Sequence, residues 1–267
     1  MDQSLPPKPS DGSESPSIWR LIWSDEFDGM AGSEPDESKW IPDIGGDGWG
    51  NQEFEYYTHS GNATHDGDSN LVIEARKENP ANYHCWYGSC QYTSARLITK
   101  GKFEFTYGRV EARAKIPYGQ GIWPAIWMLG NNIDMVGWPN NGEIDICENI
   151  GCEPATIHAT IHGPNYSGVN GISGAYMLSE GCFADGYHLF AVEWATNQIA
   201  FFVDGINYFT LTRTIVEQHG TWVYDHPFYL LLNVAVGGNW PGNPDDSSTY
   251  PQHMLVDYVR VYQQQNH

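Results

Sequence analysis

The 267-residue sequence predicts an all-β fold, a sandwich of sheets. Three observations carry this expectation. Short apolar and aromatic runs recur along the chain, and Gly, Pro, Asn and Asp separate them. Only residues 214–219 have the look of a short helix. The length suits one large domain with a well-buried core.

In chain order the strand-like runs are 19–23, 71–76, 102–107, 110–116, 126–129, 143–148, 155–161, 188–194, 198–203, 206–211, 228–236 and 254–262. The run 110–116 sets Val110, Ala112, Ala114 and Ile116 against Glu111, Arg113 and Lys115, with the period of two expected of a half-buried strand. Asp204-Gly205 between two aromatic-rich runs is a hairpin signal. Residues 228–236, apolar but for Asn233, read as a buried strand. Residues 1–17, rich in Pro, Ser and acids, read as a linker or leader remnant, and 18–267 as a single domain without internal repeats.

The run Glu143-Ile-Asp-Ile-Cys-Glu148 is the anomaly, with three carboxylates in six residues of an otherwise apolar strand. Burying acids at that density is costly unless they are paired or chemically employed. Side chains alternate along a strand, so Glu143 and Asp145 share a face. Glu148 lies an odd five positions after Glu143 and would point the other way. A β-bulge near Ile146 or Cys147 restores the parity and lines all three carboxyls along one face. At about 3.3 Å per residue the outer two Cα atoms would still be well over 10 Å apart, so the Glu side chains must lean inward. Two carboxyls flanking one bond are the equipment of a glycoside hydrolase: Glu143 suits the nucleophile, Glu148 the acid/base, and Asp145 a proton-sharing neighbour. A calcium site would favour Gly-containing loops with mixed Asp and Asn, and salt bridging would need more than the 13 Lys plus Arg available against 33 acids.

With its surroundings, this run resembles glycoside hydrolase family sixteen in the bulged motif Glu-x-Asp-x-x-Glu. The surroundings are Tyr107-Gly-Arg-Val-Glu-Ala-Arg-Ala-Lys-Ile-Pro117, Gly121-Ile-Trp-Pro-Ala-Ile-Trp-Met-Leu129 and Asp257-Tyr-Val-Arg-Val-Tyr262. The resemblance covers roughly residues 19–262. It implies a β-jelly-roll sandwich of two curved antiparallel sheets with a concave substrate cleft, making 18–267 a catalytic domain. It also implies retaining hydrolysis of internal β-1,3-glycosidic bonds in β-glucans such as laminarin, with mixed-linkage 1,3-1,4-glucan as a second substrate. Agarase or carrageenase activity and a noncatalytic β-glucan-binding role are the alternatives. The resemblance associates the bulged motif with laminarinases, agarases and carrageenases. Cys147 stands where laminarinases commonly carry Met.

Aromatic faces hold sugar rings, and polar groups hold hydroxyls. Among 11 Trp, Trp138 and Trp240 lie in Gly/Pro/Asn loops and so favour ligand over core, whereas Trp19, Trp23, Trp40 and Trp194 suit the core. Trp123 and Trp127 share a face if extended, and the resemblance places a cleft-lining Trp there. Asn51 and Glu53, in Trp49-Gly-Asn-Gln-Glu53, match a segment lining the cleft, with Glu53 alternatively bracing the loop. Arg96 matches a position near sugar or forms a structural ion pair. His162 matches a cleft position that bonds sugar or Glu148. His158 shares its strand face but reads as a satisfied structural histidine, since no third ligand at a telling spacing makes the pair a metal site.

Catalysis by this scheme needs no cofactor. The resemblance allows one structural Ca²⁺ on Glu26, the Gly67 carbonyl and Asp257. Asp66-Gly-Asp68-Ser-Asn70 itself begins like an EF-hand loop but fails at Leu71 and Lys77.

A net charge of −20 and pI near 4.6 exclude nucleic acid and anionic membranes as natural partners. No apolar run reaches the ~18 residues needed to span a bilayer. The expectation is a secreted, monomeric enzyme whose signal peptide has been removed. Of five cysteines, Cys85 and Cys90 bracket a small loop fit for a disulfide, Cys152 and Cys182 are the candidate second pair, and Cys147 is left as the free thiol.

Overall fold

A computed structural model describes residues 19–265. The linker reading of 1–17 lies outside the described residues. In chain order the strands are β1 (Trp19–Asp25), β2 (Ile41–Pro42), β3 (Glu55–Tyr57), β4 (Ala63–His65), β5 (Leu71–Lys77), β6 (His84–Cys85), β7 (Gly88–Ser89), β8 (Tyr92–Ser94), β9 (Arg96–Ile98) and β10 (Gly108–Lys115). They continue as β11 (Ile122–Gly130), β12 (Glu143–Glu148), β13 (Thr156–His162), β14 (Ile172–Met177), β15 (His188–Ala195), β16 (Gln198–Val203), β17 (Ile206–Thr212), β18 (Phe228–Val236) and β19 (Gln252–Gln264). Two four-residue helices, α1 (Ile133–Val136) and α2 (Arg213–Val216), interrupt them.

Two sheets dominate. One runs β17-β16-β15-β10-β19-β5-β8-β3, with β1 also on β19 and β4 on β5; the other runs β14-β13-β12-β11-β18-β9-β2. Pairing within the two sheets is antiparallel except for β3 beside β8. Between the sheets lies one continuous core. The seven-stranded sheet contributes Ile126, Met128, Ile144, Ile146, Ile157, Ile161, Leu230 and Leu232, and the larger sheet Ile73, Val110, Phe190, Val192, Phe201, Val256 and Val259. The alternation read in 110–116 thus becomes real burial, with Val110, Ala112 and Ala114 inside.

Eleven of the twelve expected strands form, with ends shifted by a few residues. The exception is 102–107. There Lys102 and Phe103 N–H groups both donate to the Thr99 carbonyl, closing a turn, and Phe105 alone makes a ladder contact, with Phe228. Its aromatic residues are core pieces instead: Phe103 stacks on Trp23 at 4.9 Å and Phe105 packs edge-on against Trp194. Of the expected core tryptophans, Trp40 and Trp194 are each 2% exposed, while Trp19 is only half-buried. Of the strands missed by sequence reading, β3, β8 and β9 are only three residues long and carry little periodic signal, whereas β14 is six residues long but has no fully buried residue and a Gly-Ala centre in place of an apolar alternation.

Gly108 shows how tightly the ladder is built. Its φ is +140°, and a Cβ there would lie 2.3 Å from the Tyr262 carbonyl oxygen on β19. Gly108→Ala should therefore lower stability by about 2–4 kcal/mol, from backbone strain and the clash together. Urea denaturation checks this, and an unchanged midpoint would contradict it.

Candidate active site

The bulge is present at the expected place. On β11 the partners of Cys147 and Asp145 are the adjacent residues Ile126 and Trp127, so Ile146 is the extra residue. Glu143 and Glu148 face Leu129 and Ala125, four positions apart on β11, although they are five apart on their own strand. The bulge therefore does two things. It turns Glu148 to the face of Glu143 and Asp145, and it removes one residue's rise from their separation. Ile144, Ile146 and Cys147 point into the core. The Cys147 thiol is buried, and burial followed by the Glu148 charge pushes its pKa well up.

Each acid has its own partners on this outer face. The Trp138 indole N–H donates to Glu143 Oε2 at 2.7 Å. The Trp123 indole N–H donates to Glu148 Oε1 at 3.1 Å, and the Thr160 hydroxyl reaches Oε2 at 3.4 Å. His162 Nε2 lies 3.2 Å from Asp145 Oδ2 and 3.7 Å from Glu143 Oε1. The expected bond from His162 to Glu148 is therefore corrected. Antiparallel register places His162 opposite Glu143 and His158 opposite Glu148. His158 is also not a satisfied histidine, because its buried Nε2 has no partner. Its ring packs edge-on against Trp240 at 5.1 Å, and burial lowers its pKa.

Burial is the first cause of every shift among the acids. Glu143 is pushed up to about 8 by desolvation and then by the charge of Asp145. Asp145 is likewise raised to about 8 by desolvation. Glu148 is driven well above the usual range by desolvation and by Asp145. A group that must be ionised to react is thus hard to ionise, and one that must hold a proton keeps it. Raised values move both limbs of the pH–rate profile upward. Activity should fall on the acid side at a pH well above the ~4.3 of a free Glu. Full turnover at pH 4 would contradict this.

The remaining expected residues form a wall beside the acids. Trp123 and Trp240 meet edge to face at 5.5 Å, and Trp240 is 42% exposed. Trp138 is 47% exposed while still holding Glu143. Trp127 donates its indole N–H to Asn233 Oδ1 at 2.7 Å, and Asn233 in turn donates to the Tyr57 hydroxyl at 3.0 Å. Tyr57 donates to Glu53 Oε2, and Asn51 donates to Glu53 Oε1 at 2.9 Å. Glu53 is buried and braces this loop, so Asn51 is the member of the pair left to reach a ligand. Arg96 pairs with Asp43 at 3.0 Å and lies between the rings of Trp49 and Trp127 at 4.5 and 4.8 Å. Its structural reading is the one this placement favours.

Sequence reading missed Thr160, Tyr57, Asn233 and the fully buried Glu55, whose Oε2 accepts from Val236 N–H at 2.6 Å. Thr160 was findable, since it shares parity with His158 and His162. Asn233 was visible as the one polar break in 228–236.

The expected calcium set fits less well. Glu26 is paired with Arg260 through both carboxylate oxygens, at 3.0 and 2.7 Å, and Asp257 is paired with Arg113. A cation would have to displace two guanidinium groups. Asp66 spends its oxygens on the N–H groups of Asp68 and Asn70 and on the Asn70 side chain. The cysteine expectation is half met. Cys85 and Cys90 are bonded, but Cys152 and Cys182 are free as well as Cys147. Cys152 is exposed, while the Cys182 N–H is held in its own turn by Asp185.

Known proteins resemble this chain in sequence and fold. The profile of Glycosyl hydrolases family 16 matches residues 50–260. A β-glucanase of Rhodothermus marinus is 41% identical over 261 residues, which cover 95% of this chain and 88% of the relative. The laminarinase catalytic domain of Thermotoga maritima superposes with a TM-score of 0.86 at 49% identity, over 93% of this chain and 99% of that one. An endo-β-1,3-glucanase of Pyrococcus furiosus, 48% identical, also gives 0.86, over 94% and 97%. A bulged strand carrying three acids, inside a two-sheet sandwich that aligns almost end to end with these proteins, places the chain in glycosyl hydrolases family 16.

Proposed function

We propose that the protein is a retaining endo-β-1,3-glucanase acting on laminarin-type glucan. The observation that carries this is the single face shared by Glu143, Asp145 and Glu148, each outer acid oriented by a tryptophan N–H. Glu143 attacks the anomeric carbon while Glu148 gives its proton to the departing glycosidic oxygen. A covalent glycosyl-enzyme results. Glu148, now ionised, takes a proton from water, whose oxygen displaces Glu143 with net retention. Asp145, one strand pleat from Glu143 on the same face, holds the proton that Glu143 must lack when it attacks, and His162 lies beside both carboxyls. Trp138, Trp123, Trp127 and Trp240 supply ring faces for sugars, and Asn51 a hydroxyl partner.

Reducing-sugar release from laminarin, curdlan, lichenan, agarose and κ-carrageenan tests the reading. Laminarin and curdlan should be cut, with lichenan second. Release from a galactan alone would overturn the glucanase reading, and binding without release would favour a lectin-like role. An initially inverted product by NMR would reject double displacement.

Two further proposals stand apart. Export of the enzyme is supported by the Cys85–Cys90 bond, which suits an oxidising compartment; activity confined to the cell interior of the source organism would oppose it. No helix among the described residues is long and apolar enough to cross a membrane. Calcium on Glu26, Gly67 and Asp257 draws no support from the arginine pairing. A bound ion should raise Tm by several degrees over a chelated sample, and identical melting would remove the site.

A further inference from the structure

We propose that Glu143, Asp145 and His162 also form a site for one zinc ion, and that zinc held there excludes the substrate. The metal class follows from the donors, one imidazole nitrogen with carboxylate oxygens. Among the described residues, the candidate ligand atoms of these three all lie within 4.8 Å of one another. Zinc binds nitrogen at about 2.0–2.1 Å and carboxylate oxygen at about 2.0–2.2 Å. The 3.2 and 3.7 Å separations from His162 Nε2 to Asp145 Oδ2 and Glu143 Oε1 then subtend roughly 100° and 125° at a shared ion, on either side of the tetrahedral value.

A second observation points to a ligand independently of the cluster. Asp145 is 2% exposed, and its buried Oδ2 makes no hydrogen bond: His162 Nε2 approaches to 3.2 Å but is not aligned to donate to it. Such an atom is costly to leave unsatisfied. Nor does a Lys or Arg offset the buried negative charge: the hydrogen-bond and ion-pair partners of the three acids among the described residues are Trp123, Trp138, Thr160 and His162. The site is also held ready. A Cβ on Gly171 would lie 2.5 Å from His162 Cε1, so that backbone packs directly on the imidazole and limits its rotation. Glu143 can give Oε1 to the ion while Oε2 keeps the Trp138 N–H. Three protein ligands leave the fourth position toward the sugar-binding face. An ion there occupies the nucleophile and blocks attack.

The competition part of this inference rests on the glucanase reading, while the binding part does not. The experiment is calorimetric titration of the metal-free protein with zinc chloride, in a Cys152→Ser/Cys182→Ser background that removes the accessible thiols. One ion per chain should bind, with at least tenfold weaker binding in His162→Ala and in Asp145→Asn, each first shown to be folded by circular dichroism. Cobalt(II) should give the visible absorption of a tetrahedral centre, and that signal should fade as a laminari-oligosaccharide is added. No stoichiometric binding, or binding that survives both substitutions, would overturn the site. Loss of zinc binding in the variants, with no laminarin hydrolysis by the metal-free enzyme, would uphold the site and sink the substrate reading instead.

Discussion

Glu143→Gln should reduce laminarin hydrolysis by a factor on the order of 10⁴ or more while leaving the fold intact. The nucleophile has no substitute on this face, and enzymes that lose the attacking group retain only binding and electrostatic help. The same variant should gain stability at neutral pH. Burial raises the folded-state pKa of Glu143 to about 8, above its unfolded value. A carboxyl raised on folding contributes stability that is full below the unfolded pKa and is lost as pH rises through the folded one. Removing it should therefore stabilise the protein by on the order of 1–3 kcal/mol at pH 8, and the gain should vanish toward pH 4. Thermal melting at the two pH values measures this alongside turnover. Near-normal rates would show that Glu143 is not the nucleophile. A variant less stable than the parent at pH 8 would show that its carboxylate is welcome where it lies.

Glu148→Gln should lower turnover of laminarin by about 10²–10⁴-fold, the usual worth of a positioned acid/base. Its signature is dependence on the leaving group. An aryl β-glucoside with an acidic phenol needs little protonation, so its first step should be largely spared. Hydrolysis of the glycosyl-enzyme should stay slow, because the base that activates water is also gone. A burst of phenol followed by slow turnover is expected in stopped-flow absorbance. The alkaline limb of the pH profile, set by loss of the Glu148 proton, should disappear as well. Equal losses on laminarin and on the activated substrate, without a burst, would mean that Glu148 serves some other role.

Much of the site was legible because its chemistry is local in sequence. Period-two parity along 143–148 was enough to require a bulge, and register then places the extra residue at Ile146. The long strands were readable for the same reason, since eight or nine alternating or apolar residues outweigh their end effects. The partners of the acids were not readable in that way. Whether His162 meets Glu148 or Asp145 depends on how β13 is registered against β12, and with His158 rather than His162 opposite Glu148 the pairing settles on Asp145. The run 102–107 looked like a strand because its aromatic residues are core material; a turn at Thr99 claimed the backbone hydrogen bonds instead.

By itself, the sequence determined the fold class, the three acids and their need to share a face, because periodicity and the cost of burying charge act within a few residues. Tertiary structure alone decided which neighbour holds each carboxyl. It gave Trp138 to Glu143, Trp123 to Glu148 and His162 to Asp145. It also committed Glu26 and Asp257 to arginines, and it made Glu53 and Arg96 braces of the wall. Apart from Trp138, which lies five positions before Glu143 in the chain, these outcomes follow from contacts between separate segments of the chain, and only the pairing of strands and the packing of loops brings those groups together.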